Sequence, residues 1–191
     1  MSVTAIATAW SGFQLVKWGG AMAIAFSQAG AERLDAARAD NDANRQLTLQ
    51  VQVYTSWVVA KAEGDERLAN YISDRFTEPL RTAWVAWMAL DPGTNPAAPA
   101  TPFDMPEYAQ PDATAAQEAD ARGEALFEQA LENNRRGDNY ALLTVIFASV
   151  LFFAGISLRM KSLVSSWIML GVGFALFIVA VSLIAAYPKL V

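Results

Sequence analysis

Oxygen-bearing side chains at positions 40–44 have the composition with which many calcium loops begin. The segment is Asp40-Asn41-Asp42-Ala43-Asn44, and an EF-hand loop binds Ca²⁺ through such oxygens at alternate positions. That loop also requires glycine at its sixth position and glutamate at its twelfth, where this chain has Arg45 and Val51. Because both features are missing, we expect a solvated helix face here and no metal site.

The other candidates for chemistry are acidic. Glu63, Asp65 and Glu66 cluster where a helix is predicted to begin, and the helix dipole alone favours acids there. No pair of carboxylates has a spacing typical of acid–base hydrolysis. The chain has no cysteine and no histidine, which excludes thiolate metal sites, thiol catalysis and the commonest general base. We therefore predict a protein that is not an enzyme and has no catalytic residue, cofactor or metal.

Large aromatic side chains recur at helical spacing in the middle of the chain. They are Tyr54, Trp57, Trp84 and Trp87. Rings at this spacing are typical of the core of a small helical domain. If Trp57, Trp84 and Trp87 are exposed instead, they form a surface for a protein partner.

Charge divides the sequence into three parts. All 19 Asp and Glu lie between Glu32 and Asp138, together with ten of the 14 Lys and Arg, so this segment carries a net charge of −9. The flanking segments contain no acid. The pattern predicts an acidic soluble domain between two lipid-compatible ends. Its negative charge argues against nucleic acid as a partner.

Two uncharged runs near the C-terminus predict a transmembrane hairpin. Tyr140–Leu158 has 19 residues and Leu163–Tyr187 has 25. As helices they reach roughly 28 and 37 Å, and the hydrocarbon core of a bilayer is about 30 Å thick. The turn between them contains Arg159 and Lys161, and a short basic turn is typical of the cytoplasmic side. We therefore expect a multi-pass protein of the bacterial inner membrane whose soluble domain lies in the periplasm or outside the cell.

The N-terminal segment is apolar but interrupted. Residues 3–26 include Ser11, Gln14, Lys17 and three glycines, without a charged start that would indicate a signal peptide. Three interpretations stay open: a first span, an interfacial helix, or the outer end of a longer span. The residues expected at the membrane interface are Trp10, Trp18, Arg135, Arg136, Tyr140, Arg159, Lys161, Trp167 and Tyr187.

Arg135 and Arg136 have two candidate partners. They can hold lipid phosphates at the interface, or they can form ion pairs with Glu132 and Asp138. Because the acids are adjacent in the sequence, we expect local ion pairs.

The acidic segment is predicted to be entirely helical apart from one linker. Helical composition extends from Ser27 to about Ala62, and a break at 64–66 precedes helices at 67–76 and 80–90. Residues 91–112 contain six of the eight prolines and predict an extended strap. Phe103, Met105 and Tyr108 can pin that strap onto the helices. A helix from 113 to 134 then continues towards Tyr140.

The predicted fold class is an all-α membrane protein. It has two to three transmembrane helices and a small extracytoplasmic helical bundle with a proline-rich strap. The predicted domains are residues 1–30, an N-terminal membrane or interfacial helix; residues 31–138, the acidic helical domain with its strap at 91–112; and residues 139–191, the transmembrane hairpin.

Small residues align along both predicted spans. They are candidates for close helix packing, within the hairpin or between subunits. The set is Ala141, Ala148 and Gly155 in the first span, and Ser166, Gly171, Gly173, Ala175 and Ala180 in the second.

Two stretches resemble a group of uncharacterised bacterial multi-pass membrane proteins. Residues 7–14 (ATAWSGFQ) are similar to the end of the first span of that group, and residues 136–140 (RGDNY), leading to 151–156 (LFFAGI), are similar to the entry to the second. The resemblance implies the same acidic helical insert between the two spans. In that group a longer apolar run precedes the first element, whereas six residues precede Ala7 here. No activity follows from the resemblance.

These observations predict a non-enzymatic integral membrane protein. As its function we expect a structural or accessory subunit that assembles with itself or with a larger membrane complex through its helical domain. Its partners are the lipid bilayer and other subunits. One alternative is a homo-oligomeric pore for small solutes, lined by Thr144, Ser149, Ser166 or Ser182. Another is an extracytoplasmic ligand sensor.

Overall fold

The structure is a computed structural model that describes residues 2–190, and it consists of helices joined by turns. The helices are α1 (Ser2–Ala62), α2 (Glu66–Ser73), α3 (Leu80–Met88), α4 (Pro111–Ser157) and α5 (Leu163–Ala186). No strand is present between residues 2 and 190. The predicted all-α class is therefore confirmed.

The chain divides into two compact units. Unit 1 contains residues 1–31 and 122–191, and unit 2 contains residues 32–121. The long helices α1 and α4 contribute residues to both. The predicted domain limits describe the side of a membrane on which each segment lies, and they stay a prediction. The structure adds that α4 is continuous through the predicted limit at 138/139.

The predicted break after α1 is confirmed, and its backbone explains it. Gly64 has φ +77°, a left-handed conformation that costs glycine least. Its N–H donates to Lys61 O at 3.2 Å, and the N–H of Asp65 donates to Ala60 O at 3.0 Å. This pair of bonds is a Schellman motif, which ends a helix by satisfying its last carbonyl groups. Asp65 then caps α2 by accepting from the N–H of Leu68 at 2.9 Å.

The strap is a series of turns rather than an extended segment. It contains one short 3₁₀ helix, Pro102–Asp104, and it ends where Pro111 begins α4. Proline at the first position of a helix and Asp112 in the first turn both favour that start. The strap is pinned as predicted: Met105 is buried in the unit 2 core, and the Phe103 ring lies 5.4 Å from that of Tyr54.

Two of the described helices, α4 and α5, are long and apolar enough to cross a membrane. The apolar part of α4 packs against α5 in unit 1. Both runs predicted from the sequence therefore lie in helices of sufficient length and hydropathy. In α5 very little of the apolar surface is covered by the rest of unit 1.

Candidate functional site

The N-terminal half of α1 packs on α4 and α5 through one buried face. Thr4, Ser11 and Trp18 recur every seven residues on that face, and Gln14 lies between the last two. A repeat of seven keeps one face of a helix against its neighbour over several turns. In unit 1 α1 and α4 run antiparallel, because the Phe26 ring lies 5.5 Å from that of Phe127, whereas Trp18, earlier in α1, meets Arg136, later in α4.

The fully buried amide of Gln14 binds the backbone near the end of the chain. Its Nε2 donates to Leu190 O at 2.9 Å, and its Oε1 accepts from the N–H of Leu190 at 2.9 Å. One side chain thus satisfies both polar groups of one residue, as a neighbouring strand does in a sheet. Since a buried amide without partners is costly, this pairing explains how Gln14 is accommodated among apolar side chains.

Tyr140 holds the same C-terminal segment from α4. Its ring is fully buried, its hydroxyl donates to Pro188 O at 3.0 Å, and the ring lies 5.9 Å from that of Tyr187 in an edge-to-face arrangement. We name residues 187–190 the tail. The tail is therefore fixed by one side chain from α1 and one from α4, which ties the N-terminal helix to the hairpin.

Trp18 and Arg136 meet beside this contact. The Arg136 guanidinium lies 4.8 Å from the Trp18 ring centroid, and its Nε lies 3.1 Å from Glu132 Oε1. Arg135 also pairs with Glu132, so the predicted local ion pairing is confirmed for Glu132, whereas Asp138 accepts a hydrogen bond from Asn134. The helices are closely packed here, because a Cβ on Gly137 would be in van der Waals contact with Trp18 Cβ at 3.7 Å.

The structure separates the predicted interface residues into two groups. Trp18, Arg136, Tyr140 and Tyr187 come together around the tail, where the rings of Trp18 and Tyr140 are buried in protein rather than facing outwards. The other members are on the surface of unit 1. Arg159 and Lys161 lie in the exposed turn before α5, Trp167 is 67% exposed, Trp10 is partly exposed beside Phe13, and Arg135 is exposed.

The predicted packing residues of α5 lie on different faces. Gly173 and Ala180 are buried against α4, and Ser166 Oγ donates to Ser157 O at 2.8 Å. A Cβ at Gly173 would lie 3.4 Å from Phe153 Cβ. These three residues form the α4–α5 seam of the hairpin.

The other α5 pair, Gly171 and Ala175, is exposed, and a Cβ at Gly171 would meet no atom within 4 Å. On α4, Ala148 is exposed, Ala141 and Gly155 are half-buried, and Gly155 likewise has no neighbour within 4 Å. Ala148, Gly171 and Ala175 are thus small residues that the described chain leaves exposed.

Hydroxyl groups considered for a pore are bound to backbone. Thr144 donates to Tyr140 O at 3.0 Å, Ser149 to Val145 O at 3.0 Å and Ser182 to Ile178 O at 2.9 Å. Each such bond satisfies the hydroxyl within its own helix.

Trp57, Trp84 and Trp87 form the core of unit 2 rather than an exposed partner surface. Trp57 and Trp87 are 8% and 7% exposed, and Trp84 lies edge-on to Trp57 with ring centroids 5.8 Å apart. Trp87 Nε1 donates to Pro99 O at 2.7 Å, which fixes the strap. Burial follows from α3 packing on α1 with these rings inward.

A buried glutamine also organises unit 2. Gln50 Nε2 donates to Glu78 O at 2.9 Å, and its Oε1 accepts from the Tyr108 hydroxyl at 2.7 Å. This network joins α1 to the strap and to the segment before α3. Burial raises the pKa of the Tyr108 hydroxyl and that of Tyr54.

The segment that resembles the start of a calcium loop lies in α1, where its Asp and Asn side chains are exposed and Ala43 is buried. Asn44 donates to Asp40 Oδ2 at 3.0 Å, and Arg45 pairs with Asp42. No group of three or more acidic side chains that could hold a metal ion occurs within the described chain. The Asp and Asn side chains of residues 40–44 therefore lie on the surface of α1 and are not arranged as a loop.

Comparison with known proteins finds no similar protein: no family model, no curated sequence and no solved structure matches the chain. The resemblance to a group of bacterial multi-pass proteins therefore stays a prediction.

Proposed function

We propose that the protein is a non-enzymatic integral membrane protein that acts as a structural or accessory subunit. In this proposal α4 and α5 cross the bilayer as a hairpin, and the first part of α1 lies beside them as a third membrane helix. Unit 2 is the helical domain outside the cytoplasm. The chain assembles with further copies or with other membrane subunits.

The observation that carries the membrane proposal is the exposure of α5. Leu163, Trp167 and Phe174 are 78%, 67% and 64% exposed, although α5 has no charged residue. Burying apolar surface is favourable by about 25 cal/mol per Å², so a helix this open in water is strongly disfavoured. Hydrocarbon or another protein must cover it, and a length of 24 residues suits a bilayer.

The membrane placement of α1 is supported by its packing and its outer face. Gln14 and Trp18 fix it to the hairpin, while Ile6, Phe13 and Val16 are exposed on the other side. A helix held against two membrane spans with apolar residues outwards is compatible with lipid. Lys17 is near the end of this segment and can reach the membrane surface by extending its side chain.

Assembly is supported by the uncovered small residues of α5. Helices in membranes associate where small side chains allow close backbone approach. Gly171 and Ala175 provide such a face without a partner in the described chain, whereas Gly173 is already used against α4.

The test is the native mass and composition of the protein after gentle detergent extraction. We expect a homo-oligomer or a complex with other membrane proteins. Gly171→Leu should shift the mass towards that of the single chain, because the added side chain separates the backbones. Val172→Leu, at an exposed position of similar depth, is the control and should leave the mass unchanged. A single chain in every detergent, free of other subunits, contradicts the proposal.

A further inference from the structure

A groove opens in unit 1 beside the first turn of α1. It has a volume of about 510 Å³ and lies between α1, α4 and α5. Its apolar lining consists of Val3, Val150, Ala154, Leu170, Phe174 and Phe177. Gly173 and Thr4 complete it. The volume is within the range of small-molecule sites, roughly 300–1,000 Å³.

The groove exists because packing in unit 1 changes along the helices. Near the tail the three helices are in close contact through Trp18 of α1, Tyr140 of α4 and Ala180 of α5. Near Val150 the α4–α5 seam is still tight, since a Cβ on Gly173 would lie 3.6 Å from Val150 O. There Val3 and Thr4 of α1 form one side of a concave apolar surface over this seam.

Its position along both spans indicates the middle of the bilayer. Val150 lies ten residues after Tyr140, or about 15 Å along the helix, and Phe174 lies eleven residues after Leu163, or about 17 Å. Half of the hydrocarbon core is about 15 Å. This inference of depth rests on the proposed function, in which α4 and α5 are membrane spans.

Water and polar ligands do not suit such a site. An apolar cavity stays dry because water finds no hydrogen-bond partners there. The Thr4 hydroxyl is the polar side-chain group of the lining, and no lining residue carries a charge that could hold a head group. An empty groove would forfeit dispersion contacts along its walls. The occupant must therefore be hydrocarbon or apolar side chains.

The rim of the groove favours a lipid chain over a second copy. Helix pairs in membranes approach through small residues, whereas Val3 and Phe174 at the rim are 67% and 64% exposed and hold a neighbouring helix away. A flexible acyl chain is thin enough to lie between them. We propose that this groove binds one acyl chain of a membrane phospholipid and retains it more firmly than the lipid around the rest of the protein.

Photolabelling tests the proposal with the full chain in vesicles. The vesicles contain phosphatidylethanolamine, phosphatidylglycerol and a phospholipid with a diazirine midway along one acyl chain. Adducts are mapped by mass spectrometry. We expect several-fold more adduct at Ala154 and Phe174 than at Phe152 and Val172, which are exposed on the same helices at similar depth.

A filled groove provides the matched comparison. Ala154→Trp should reduce labelling at Phe174 to the level at Val172, because the indole occupies the space of the chain. Val172→Trp is the control and should leave groove labelling unchanged. If Ala154→Trp fails to fold, the comparison between groove and control positions in the unaltered protein still tests the proposal.

Three outcomes overturn the proposal. Equal labelling of groove and control positions shows ordinary surrounding lipid. A disulfide between copies through Phe174→Cys, in a chain without native cysteine, shows that a second copy occupies the groove. The absence of label at every position of α4 and α5, Phe152 and Val172 included, also contradicts the membrane placement, so this failure is distinguishable from the first two.

Discussion

Gln14 and Leu190 are joined by two hydrogen bonds of 2.9 Å across 176 positions of sequence. The contact closes the helices of unit 1 into one bundle, because Gln14 belongs to α1 and Leu190 follows α5. With the Tyr140 hydroxyl on Pro188 O, it fixes a tail that would otherwise be free to fray. The N-terminal helix is held to the hairpin by side-chain-to-backbone bonds as well as by apolar packing.

Gln14→Leu should release the tail. The variant keeps the volume of the side chain but leaves the N–H and C=O of Leu190 without partners, so the tail moves to solvent or to the head groups. We expect a loss of about 1–3 kcal/mol in stability and faster hydrogen exchange at the Leu190 amide. Thermal melting and hydrogen exchange in detergent measure both effects.

Gln28→Leu is the control for that change, since Gln28 lies on the exposed face of α1. It should leave the exchange of Leu190 as in the unaltered protein. If Gln14→Leu also leaves the Leu190 amide protected, the tail is held by other contacts and the role proposed for the Gln14 hydrogen bonds is wrong.

Gly64→Ala should destabilise the end of α1. At φ +77° an alanine Cβ approaches the backbone closely, and we expect a cost of about 1 kcal/mol. Gly30→Ala is the matched change within α1, where the added Cβ meets no atom within 4 Å. It should stabilise the helix by about 1 kcal/mol. If Gly64→Ala and Gly30→Ala change the melting temperature in the same direction and by the same amount, residue 64 does not need a left-handed backbone and the Schellman motif is contradicted.

The sequence predicted this break and most of the helices because both depend on local signals. Glycine followed by acids marks a helix end and a new start, and the apolar runs indicate the two helices that are long enough to cross a membrane. The site around the tail could not be predicted in this way. Gln14 appears in the sequence as an interruption of an apolar segment, and its partner is at the other end of the chain.

The spacing of Ser11, Gln14 and Trp18 does indicate that these residues share one face of α1, since positions i, i+3 and i+7 lie on the same side of a helix. That face predicts burial but does not identify the tail as the contact. For the aromatic rings of unit 2, the sequence did not distinguish a buried core from an exposed partner surface. Their burial depends on how α3 packs against α1, which the spacing of residues along one helix does not determine.

The stability of unit 2 should fall at alkaline pH. Burial raises the pKa of Tyr108 above its ordinary value of about 10, so the folded state binds this proton more tightly than the unfolded state. The stabilisation of the folded state by the protonated Tyr108 hydroxyl is fully present below the pKa that Tyr108 has in the unfolded chain. It is lost as the pH rises through the higher pKa of Tyr108 in the folded protein. Ionisation also removes the donor to Gln50.

Tyr108→Phe tests this dependence. It should lower stability at neutral pH by about 1 kcal/mol through the lost hydrogen bond, and its stability should decrease less than that of the unaltered protein as the pH rises above about 10. Circular dichroism melts across this range measure the difference. Parallel decreases for both proteins would exclude Tyr108 as a cause.

The proposed orientation can be checked with single cysteines, because the chain has none. Ala97→Cys lies in the strap, and Met160→Cys lies in the turn between the spans. A membrane-impermeant maleimide should label Ala97→Cys in intact spheroplasts and Met160→Cys after permeabilisation, because short basic turns stay in the cytoplasm. The reverse pattern would place unit 2 inside the cell.

Collision accessibility of nitroxide labels on α5 tests the central claim most directly. Labels at Ile168, Val172 and Val179 in vesicles should collide often with oxygen, which dissolves in hydrocarbon, and rarely with a water-soluble nickel chelate. A label at Ser56, exposed in unit 2, should show the opposite. If the α5 labels meet the nickel chelate as often as the label at Ser56, α5 is in water and the membrane account is contradicted.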